Sequence, residues 1–422
     1  MSSEVKTAAA SPEHAAPAAV GPGAAAAVIL AHFTVDFYAG YTAPLLRYFH
    51  EHFGLSQMQT SLLTIPNSLT VLFQPLLGLA SDRMRTRLFV VGGLILGVAG
   101  YGLVFPLAAM AGPGAGYLLA LVGIWAGAIG LACYHPQGAA IAGRSRSGRF
   151  GGAVAIFVFS GSLGYGLGIL MPPLFIPGRI PWIALLAALG LVALAAQRAV
   201  PRLRPEGEAL ALPSVRSTLR QLAGDLRPHL GLLSLFWMLV VLRAATLIGF
   251  QQFTSIHYGG EHAFSDARGA VLVAAFFLVQ ALAGLGGTAV AERFGVRRVL
   301  GLSFALGGAL LLGALDLSSA GCVWASCALL VAGGAVLGLS IPINVAAGQR
   351  LLPRSAALAS GIMLGFGWGV GGMLVPLLAG LGDLFGGTWT VLAASAALCV
   401  PAAGLVLLLP RDEAASVVGK KP

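Results

Sequence analysis

Apolar residues in this chain fall into twelve long stretches separated by short polar segments. The stretches lie at residues 25–49, 57–80, 88–110, 116–142, 151–174, 181–199, 229–256, 267–291, 299–316, 321–347, 356–380 and 388–409. At ~1.5 Å per residue they are long enough to cross ~30 Å of hydrocarbon as helices, and they lack the alternation of barrel strands. Because only helices and closed barrels satisfy the backbone in lipid, the pattern predicts an all-α membrane protein with twelve transmembrane helices.

The longest polar segment between helices is residues 198–228. It divides the chain into an N-terminal six-helix bundle at 24–199, a cytoplasmic linker at 200–228 and a C-terminal six-helix bundle at 229–410. Residues 1–23, rich in Ala and Pro, are predicted to be a disordered cytoplasmic tail, because no apolar signal-peptide core is present. Residues 411–422 form a second cytoplasmic tail.

The two halves repeat each other in sequence. Matching charged positions follow the second helix of each half, 210 residues apart: Asp82-Arg83 with Glu292-Arg293, and Arg87 with Arg297. Prolines recur 206 residues apart in the fourth helix of each half, at Pro136 and Pro342. Internal repeats with interrupted helices at corresponding places are typical of secondary transporters, whose site lies between pseudo-symmetric halves.

Charge fixes the predicted orientation. The chain carries a net charge of +10, and 21 of its 25 Lys and Arg residues fall in the tails and loops that share one side of the membrane. This is the positive-inside pattern, which places both termini in the cytoplasm of an inner (plasma) membrane protein. The basic excess therefore indicates membrane topology and not a nucleic-acid partner.

The segment GLASDRMRTR, residues 78–87, resembles the loop motif that follows the second helix in the major facilitator superfamily. The segments AHFTVDFYAG, YHPQGAA and GFGWGVGGMLVPLLAGLGD, together with the twelve-helix layout, resemble the fosmidomycin-resistance branch of that family. The resemblance implies proton-driven export of a small phosphonate antibiotic or related compounds. Gln137 departs from the branch, which has an acid there, and Ile169 stands where the antiporter motif has proline.

The loop motif and its repeat are predicted to form a conformational latch on the cytoplasmic side. The latch residues are Gly78, Asp82, Arg83, Arg87, Glu292, Arg293 and Arg297. Glycine permits close helix approach, the acid can accept from a helix end, and the arginines anchor to headgroups and acids. The alternative is that these cations only determine topology.

Asp36 is the first candidate for proton coupling. It lies near the middle of the first helix, and His32 shares its face one turn earlier. A carboxylate at membrane depth is energetically costly and usually faces a cavity, where burial favours the protonated form. A hydrogen-bonded structural carboxylate is the alternative.

Arg243 lies about fifteen residues from the polar flanks of the seventh helix, too deep to reach the interface easily. Its planar guanidinium suits phosphonate, phosphate or carboxylate. It either binds an anionic substrate or pairs permanently with Asp36 across the halves, and a switch between the two would couple proton and substrate.

Further substrate-binding residues are predicted from polar side chains inside apolar helices: Tyr134, His135, Gln137, Gln251, Gln252 and Asn344. Pro136 is expected to kink the fourth helix and free a carbonyl beside His135. Helix packing by these groups is the alternative. Glycines predicted to let helices approach and slide are Gly161, Gly164, Gly168, Gly367 and Gly371.

No catalytic or nucleotide-binding motif is found, so the chain is predicted not to be an enzyme and to need no cofactor. The helix ends at His50, His52, His257 and His262 are expected to be solvated, with no metal site. We predict a monomeric secondary transporter in the lipid bilayer that exchanges protons for a small organic compound, an anionic phosphonate being one class. The alternatives are an anion uniporter or exchanger, and a non-transporting sensor or assembly factor.

Overall fold

The computed structural model describes residues 20–84, 87–143, 150–175, 178, 180–200, 224, 226–352, 359 and 361–410. Most of the predicted N-terminal tail, most of the linker and the C-terminal tail lie outside these residues. Of the described residues, those in the first half form six main helices. They are α1 (Pro22–Phe53), α2 (Ile65–Met84), α3 (Leu88–Met110), α4 (Pro113–Gly143), α5 (Phe150–Ile169) and α6 (Leu185–Ala199).

The described part of the second half adds six more helices. They are α7 (Leu230–His262), α8 (Asp266–Phe294), α9 (Val296–Ser319), α10 (Val323–Leu351), α11 (Gly361–Phe385) and α12 (Gly387–Val406). A short helix, Gln57–Leu62, precedes α2. Ten of the described helices have the length and apolarity of membrane spans, and α2 with the shorter α6 completes the predicted twelve.

Each half has its own core. Buried apolar side chains form one large cluster from residues 20–200 and a second from residues 233–409. The ends of α6 and α7 that flank residues 201–223 define the linker side of the molecule, and the opposite ends define the far side. The fold is therefore two six-helix bundles with a seam between them.

Glycines set the closest helix contacts within each bundle. A Cβ on Gly164 or Gly168 of α5 would collide with the α1 carbonyls of Phe33 or Phe37. In the second bundle, a Cβ on Gly371 of α11 would crowd α7. The predicted glycines thus bring α5 onto α1 and α11 onto α7, which are equivalent pairs in the two halves.

Two helices differ in how they accommodate proline. Helix α4 continues through Pro136 from Pro113 to Gly143, so the expected interruption there does not end or divide the helix. In α10, helical hydrogen bonding is interrupted by a turn at Leu339, three residues before Pro342. The two prolines therefore occupy corresponding positions in the sequence, but the backbone around them differs between the two helices.

Candidate functional site

A cavity of about 250 Å³ lies between the two bundles. Its polar lining comes from α1, the turn before α2, α2, α5, α7 and α11. The polar residues are Thr42, Thr64, Asn67, Ser68, Tyr165, Gln251, Gln252 and Trp368. Small-molecule pockets usually enclose roughly 300–1,000 Å³, so this cavity suits a small compound. Gln251 and Gln252, both predicted from sequence, are in the wall.

The far side of the cavity is closed by hydrogen bonds between the bundles. Gln252 accepts from the Ser61 hydroxyl at 2.9 Å and donates to the Thr64 hydroxyl at 2.8 Å. Nearer the surface, the two carboxylate oxygens of Asp383 accept from the amides of Gln57 at 2.7 Å and Met58 at 2.9 Å. These contacts join the short helix Gln57–Leu62 and the turn before α2 to α7 and α11.

Arg47 adds a second link at the far side. Its Nε lies 2.8 Å from a carboxylate oxygen of Glu51 and 3.4 Å from one of Asp266, and its Nη2 donates to the Phe264 carbonyl at 2.9 Å. Phe264 and Asp266 belong to the second bundle, so this cation bridges the seam. The bundles are held together at the end opposite the linker.

Two histidines surround Asp36 in the first bundle. His32 Nε2 lies 3.4 Å from Asp36 Oδ2, and His135 Nε2 lies 3.1 Å from Asp36 Oδ1. The side chains of His32, Asp36 and His135 are 8%, 16% and 27% exposed, so the group is buried but not sealed. We call these three residues the His-Asp cluster. The structure brings together residues that are a hundred positions apart in sequence.

The His32 ring is held from two directions. Its Nδ1 is 2.6 Å from the Phe157 carbonyl, and its ring stacks on the Phe157 ring at 3.8 Å between centroids. A carbonyl only accepts hydrogen bonds, so Nδ1 carries the proton and Nε2 is the atom that faces Asp36. Gly161 leaves room for this arrangement, because a Cβ there would overlap Asp36 Oδ2 and the His32 ring.

Arg243 of α7 is fully buried in the second bundle. Its Nη1 donates to the Ser340 hydroxyl of α10 at 3.2 Å, and its guanidinium lies 6.0 Å from the centre of the Trp368 ring. Nε and Nη2 have no hydrogen-bond partner among the described residues. Because Trp368 lines the cavity, the cation lies one side chain behind the cavity wall.

The two charged groups occupy equivalent places in the two bundles. The cluster joins α1 to α4 through Asp36 and His135, while Arg243 and Ser340 join α7 to α10, the corresponding helices. Asp36 has its ion pairs with histidines and Arg243 has a hydroxyl partner, so the alternative of a permanent pair between Asp36 and Arg243 is not formed. The acidic group, Asp36, and the basic group, Arg243, therefore have different partners in different bundles.

The sequence matches the family model described as Major Facilitator Superfamily over residues 28–271, more than half of the chain. The chain belongs to the Major Facilitator Superfamily. Like other members of the superfamily, it is a multi-pass membrane transporter and not an enzyme.

Individual relatives and solved structures are consistent with this family assignment. The fosmidomycin resistance protein of Escherichia coli (strain K12) is 26% identical over 376 residues, which cover 86% of each chain. A solved bacterial homolog of the human lysosomal transporter Spinster, inward-facing and unoccupied, has 17% identity and a TM-score of 0.69, covering 95% of this chain and 99% of its own. A D-xylose-proton symporter has 12% identity and a TM-score of 0.70, covering 93% and 98%. These likenesses show the major facilitator fold.

Several predicted binding residues serve helix packing in this conformation. Gln137 is 2% exposed, and its side-chain oxygen accepts from the Val90 amide of α3 at 2.9 Å. Tyr134 is also buried and donates to the Val28 carbonyl of α1. Asn344 is buried with no partner for its amide nitrogen or oxygen among the described residues. It lies one turn after Ser340 on α10, on the face that contacts Arg243.

The superfamily loop motif lies at the linker side, but the side chains of Gly78, Asp82 and Arg83 are outside the described part of the chain. Arg87 donates to the Val200 carbonyl at 2.9 Å and the Gln197 carbonyl at 3.4 Å.

In the second half, Arg297 donates to the Leu407 carbonyl at 2.8 Å. Each arginine therefore binds the carboxyl end of the last helix in its own bundle, and Gln197 and Leu407 are themselves 210 residues apart. Glu292 and Arg293 are exposed.

One expectation about the far side needs correction, and the seam adds a detail about the glycines. His257, expected to be solvated, is 2% exposed and lies 3.0 Å from the Thr388 hydroxyl and 3.1 Å from that of Ser318. Gly369 and Gly372 are among the glycines that face the other bundle, and they lie against Ser68 of α2. Both occur in the GFGWGVGG run, but helical spacing alone did not indicate which glycines face across the seam.

Proposed function

We propose that this superfamily member is a proton-coupled exporter that moves a small organic anion by alternating access. The observation that carries the proposal is Arg243, a fully buried cation beside the cavity with no carboxylate partner among the described residues. An uncompensated charge inside a membrane bundle is costly and is generally kept for a ligand.

Arg243 has the surroundings of an anion site. Two of its donors are unpartnered, and Ser340 and Asn344 provide further polar atoms on the same face of α10. A guanidinium with free donors can bind a phosphonate or carboxylate through two parallel hydrogen bonds. The relative named fosmidomycin resistance protein supports a phosphonate as the first compound to test.

The His-Asp cluster is the proposed proton site. His32 Nε2 and Asp36 Oδ2 face each other across 3.4 Å, and without a proton between them both atoms are acceptors. His135 can relay a proton to the other carboxylate oxygen at 3.1 Å.

The two sites lie on opposite bundles, and this placement supports coupling. Gly161 touches the cluster and Tyr165, one turn further along α5, lines the cavity, so the cluster is about one helical turn from the substrate space. Rocking of the bundles changes access to both sites at once. With the far side closed and the positive-inside orientation, the anion enters from the cytoplasm and leaves in exchange for protons.

Proteoliposomes with an imposed pH gradient test this function, with fosmidomycin as substrate. We expect gradient-driven accumulation by the wild type. Asp36→Asn should abolish accumulation but retain exchange of labelled for unlabelled anion, whereas Arg243→Gln should lose both. The control is Asp316→Asn, an exposed acid on α9.

Two results would reject the proposal. Accumulation by Asp36→Asn at the wild-type level would show that the cluster does not carry the protons. Wild-type transport that persists after the gradient is collapsed would instead indicate an anion uniporter or exchanger.

A further inference from the structure

We infer that the His-Asp cluster is also a binding site for one divalent transition-metal ion, for which Zn²⁺ is the probe. Within the described residues, His32, Asp36 and His135 are the only group of three or more His, Cys, Asp or Glu side chains whose ligand atoms lie within 4.8 Å of one another. The sequence predicted no metal site in this chain. The three residues are far apart in sequence and come together only when α1 and α4 pack against each other.

The distances suit a tetrahedral ion. Zinc bonds of ~2.0–2.1 Å to nitrogen and ~2.0–2.2 Å to oxygen place neighbouring ligand atoms roughly 3.3–3.5 Å apart. The nitrogen-to-oxygen distances here are 3.4 Å from His32 to Oδ2 of Asp36 and 3.1 Å from His135 to Oδ1. Each histidine faces a different carboxylate oxygen, so binding of both to one ion requires His135, the most exposed of the three, to rotate toward Oδ2.

His32 is already oriented as a ligand. Metal-binding histidines generally donate their second ring N–H to a carbonyl or carboxylate, which fixes the tautomer. The contact of His32 Nδ1 with the Phe157 carbonyl at 2.6 Å is of this type, and the stacked Phe157 ring prevents rotation. The Nε2 lone pair of the neutral ring is therefore directed at Asp36, where an ion would lie.

The ligand set predicts selectivity. Two imidazoles and one carboxylate suit Zn²⁺, Co²⁺ or Ni²⁺, whereas Mg²⁺ and Ca²⁺ prefer sites made of oxygen. The 27% exposure of His135 leaves a fourth position open to water. The ion would occupy the same atoms as the transported protons and compete with them.

Metal binding is measured on the full chain, purified in detergent without a histidine tag, by competition with a chromophoric chelator. We expect one Zn²⁺ per chain, and a Co²⁺ absorption spectrum of four-coordinate type. Losing an outer-shell partner typically weakens metal affinity 10–100-fold, so losing a ligand in His135→Gln or Asp36→Asn should weaken it by about 100-fold or more. His52→Gln, at the exposed far end of α1, is the matched control.

The inference is overturned if no Zn²⁺ binds, or if His135→Gln binds it as tightly as the wild type. The Co²⁺ spectrum of the wild type tests the site even where a variant fails to fold, since a six-coordinate spectrum contradicts it. A second measurement rests on the proposed function: Zn²⁺ should inhibit gradient-driven transport by wild type and control alike. Because binding needs neither gradient nor substrate, failure of transport and failure of the metal site are distinguishable.

Discussion

Replacing Arg243 by methionine should make the protein more stable while abolishing transport of the anion. The substitution keeps an unbranched but shorter side chain in α7 and removes a charge that the bundle leaves without an acidic partner among the described residues. Most substitutions of large buried residues destabilise, so the expected sign is itself diagnostic.

The magnitude follows from the contacts of the guanidinium. Two unpartnered donors each cost about 1–3 kcal/mol, which the substitution relieves. Against this, the hydrogen bond to Ser340 contributes about 1.5–3 kcal/mol and the Trp368 contact at 6.0 Å about 0.5–2 kcal/mol. Removing the charge also removes the cost of burying it, which is several kcal/mol, so the stabilising contributions exceed the losses. We expect a net stabilisation of about 1–3 kcal/mol.

Thermal unfolding in detergent, with and without fosmidomycin, is the assay. At roughly 2–4 °C per kcal/mol for domains of this size, Arg243→Met should melt a few degrees higher than the wild type. The compound should raise the melting temperature of the wild type and not that of the variant.

Arg47→Met is the matched control, because Arg47 is also buried but is paired with Glu51 and Asp266. These acids are 47% and 33% exposed, so we expect a modest loss of about 1–2 kcal/mol. The reasoning about Arg243 is refuted if Arg243→Met melts lower than the wild type and still transports the anion. That outcome would make the cation a structural element.

Two further predictions concern the far side and the cluster. Asp383→Ala removes the carboxylate that accepts from the amides of Gln57 and Met58 and so joins the bundles. Hydrogen exchange of these two amides should become about tenfold faster, because one hydrogen bond contributes ~1.4 kcal/mol. Unchanged exchange would refute this link. Gly161→Ala should fold but lose coupled transport, because its Cβ meets side-chain atoms of the cluster. Gly164→Ala should lower the melting temperature instead, because its Cβ meets backbone; equal effects of the two alanines on stability would contradict this distinction.

Much of the fold was predictable because lipid imposes a strong constraint on sequence. A span must be about twenty apolar residues long and helical, so each of the twelve stretches located a helix. The largest differences in bounds are at the start of α2, which begins at Ile65 and not at residue 57, and at the end of α7, which reaches His262 and not residue 256. The repeat of Arg87 and Arg297 predicted the pseudo-symmetry of the bundles, and the structure adds that both bind the last helix of their own bundle. The predicted conformational latch on the cytoplasmic side remains a prediction, since Gly78, Asp82 and Arg83 have no described side chains.

The candidate site was predictable from sequence only in part. Sequence alone selected His32, Asp36, His135 and Arg243, because charge at membrane depth is rare enough to stand out in an apolar helix. It could not place Gln137 against Val90, since whether an amide packs or lines a cavity depends on which face of the helix meets a neighbour. It also missed Asp383, which looks like an ordinary helix-end acid until α11 meets the turn before α2.

The sequence by itself thus determined the number and approximate positions of the helices, the two halves and the polar residues proposed to form the site. Only the tertiary structure decided which of these residues meet: Asp36 with two histidines, and Arg243 with no acid among the described residues. The physical reason is that hydrophobicity and charge act residue by residue along the chain. Which side chains meet depends on how the helices rotate and cross. Close glycine contacts, such as that of Gly161 with the His-Asp cluster, set this geometry, and they form only in the folded protein.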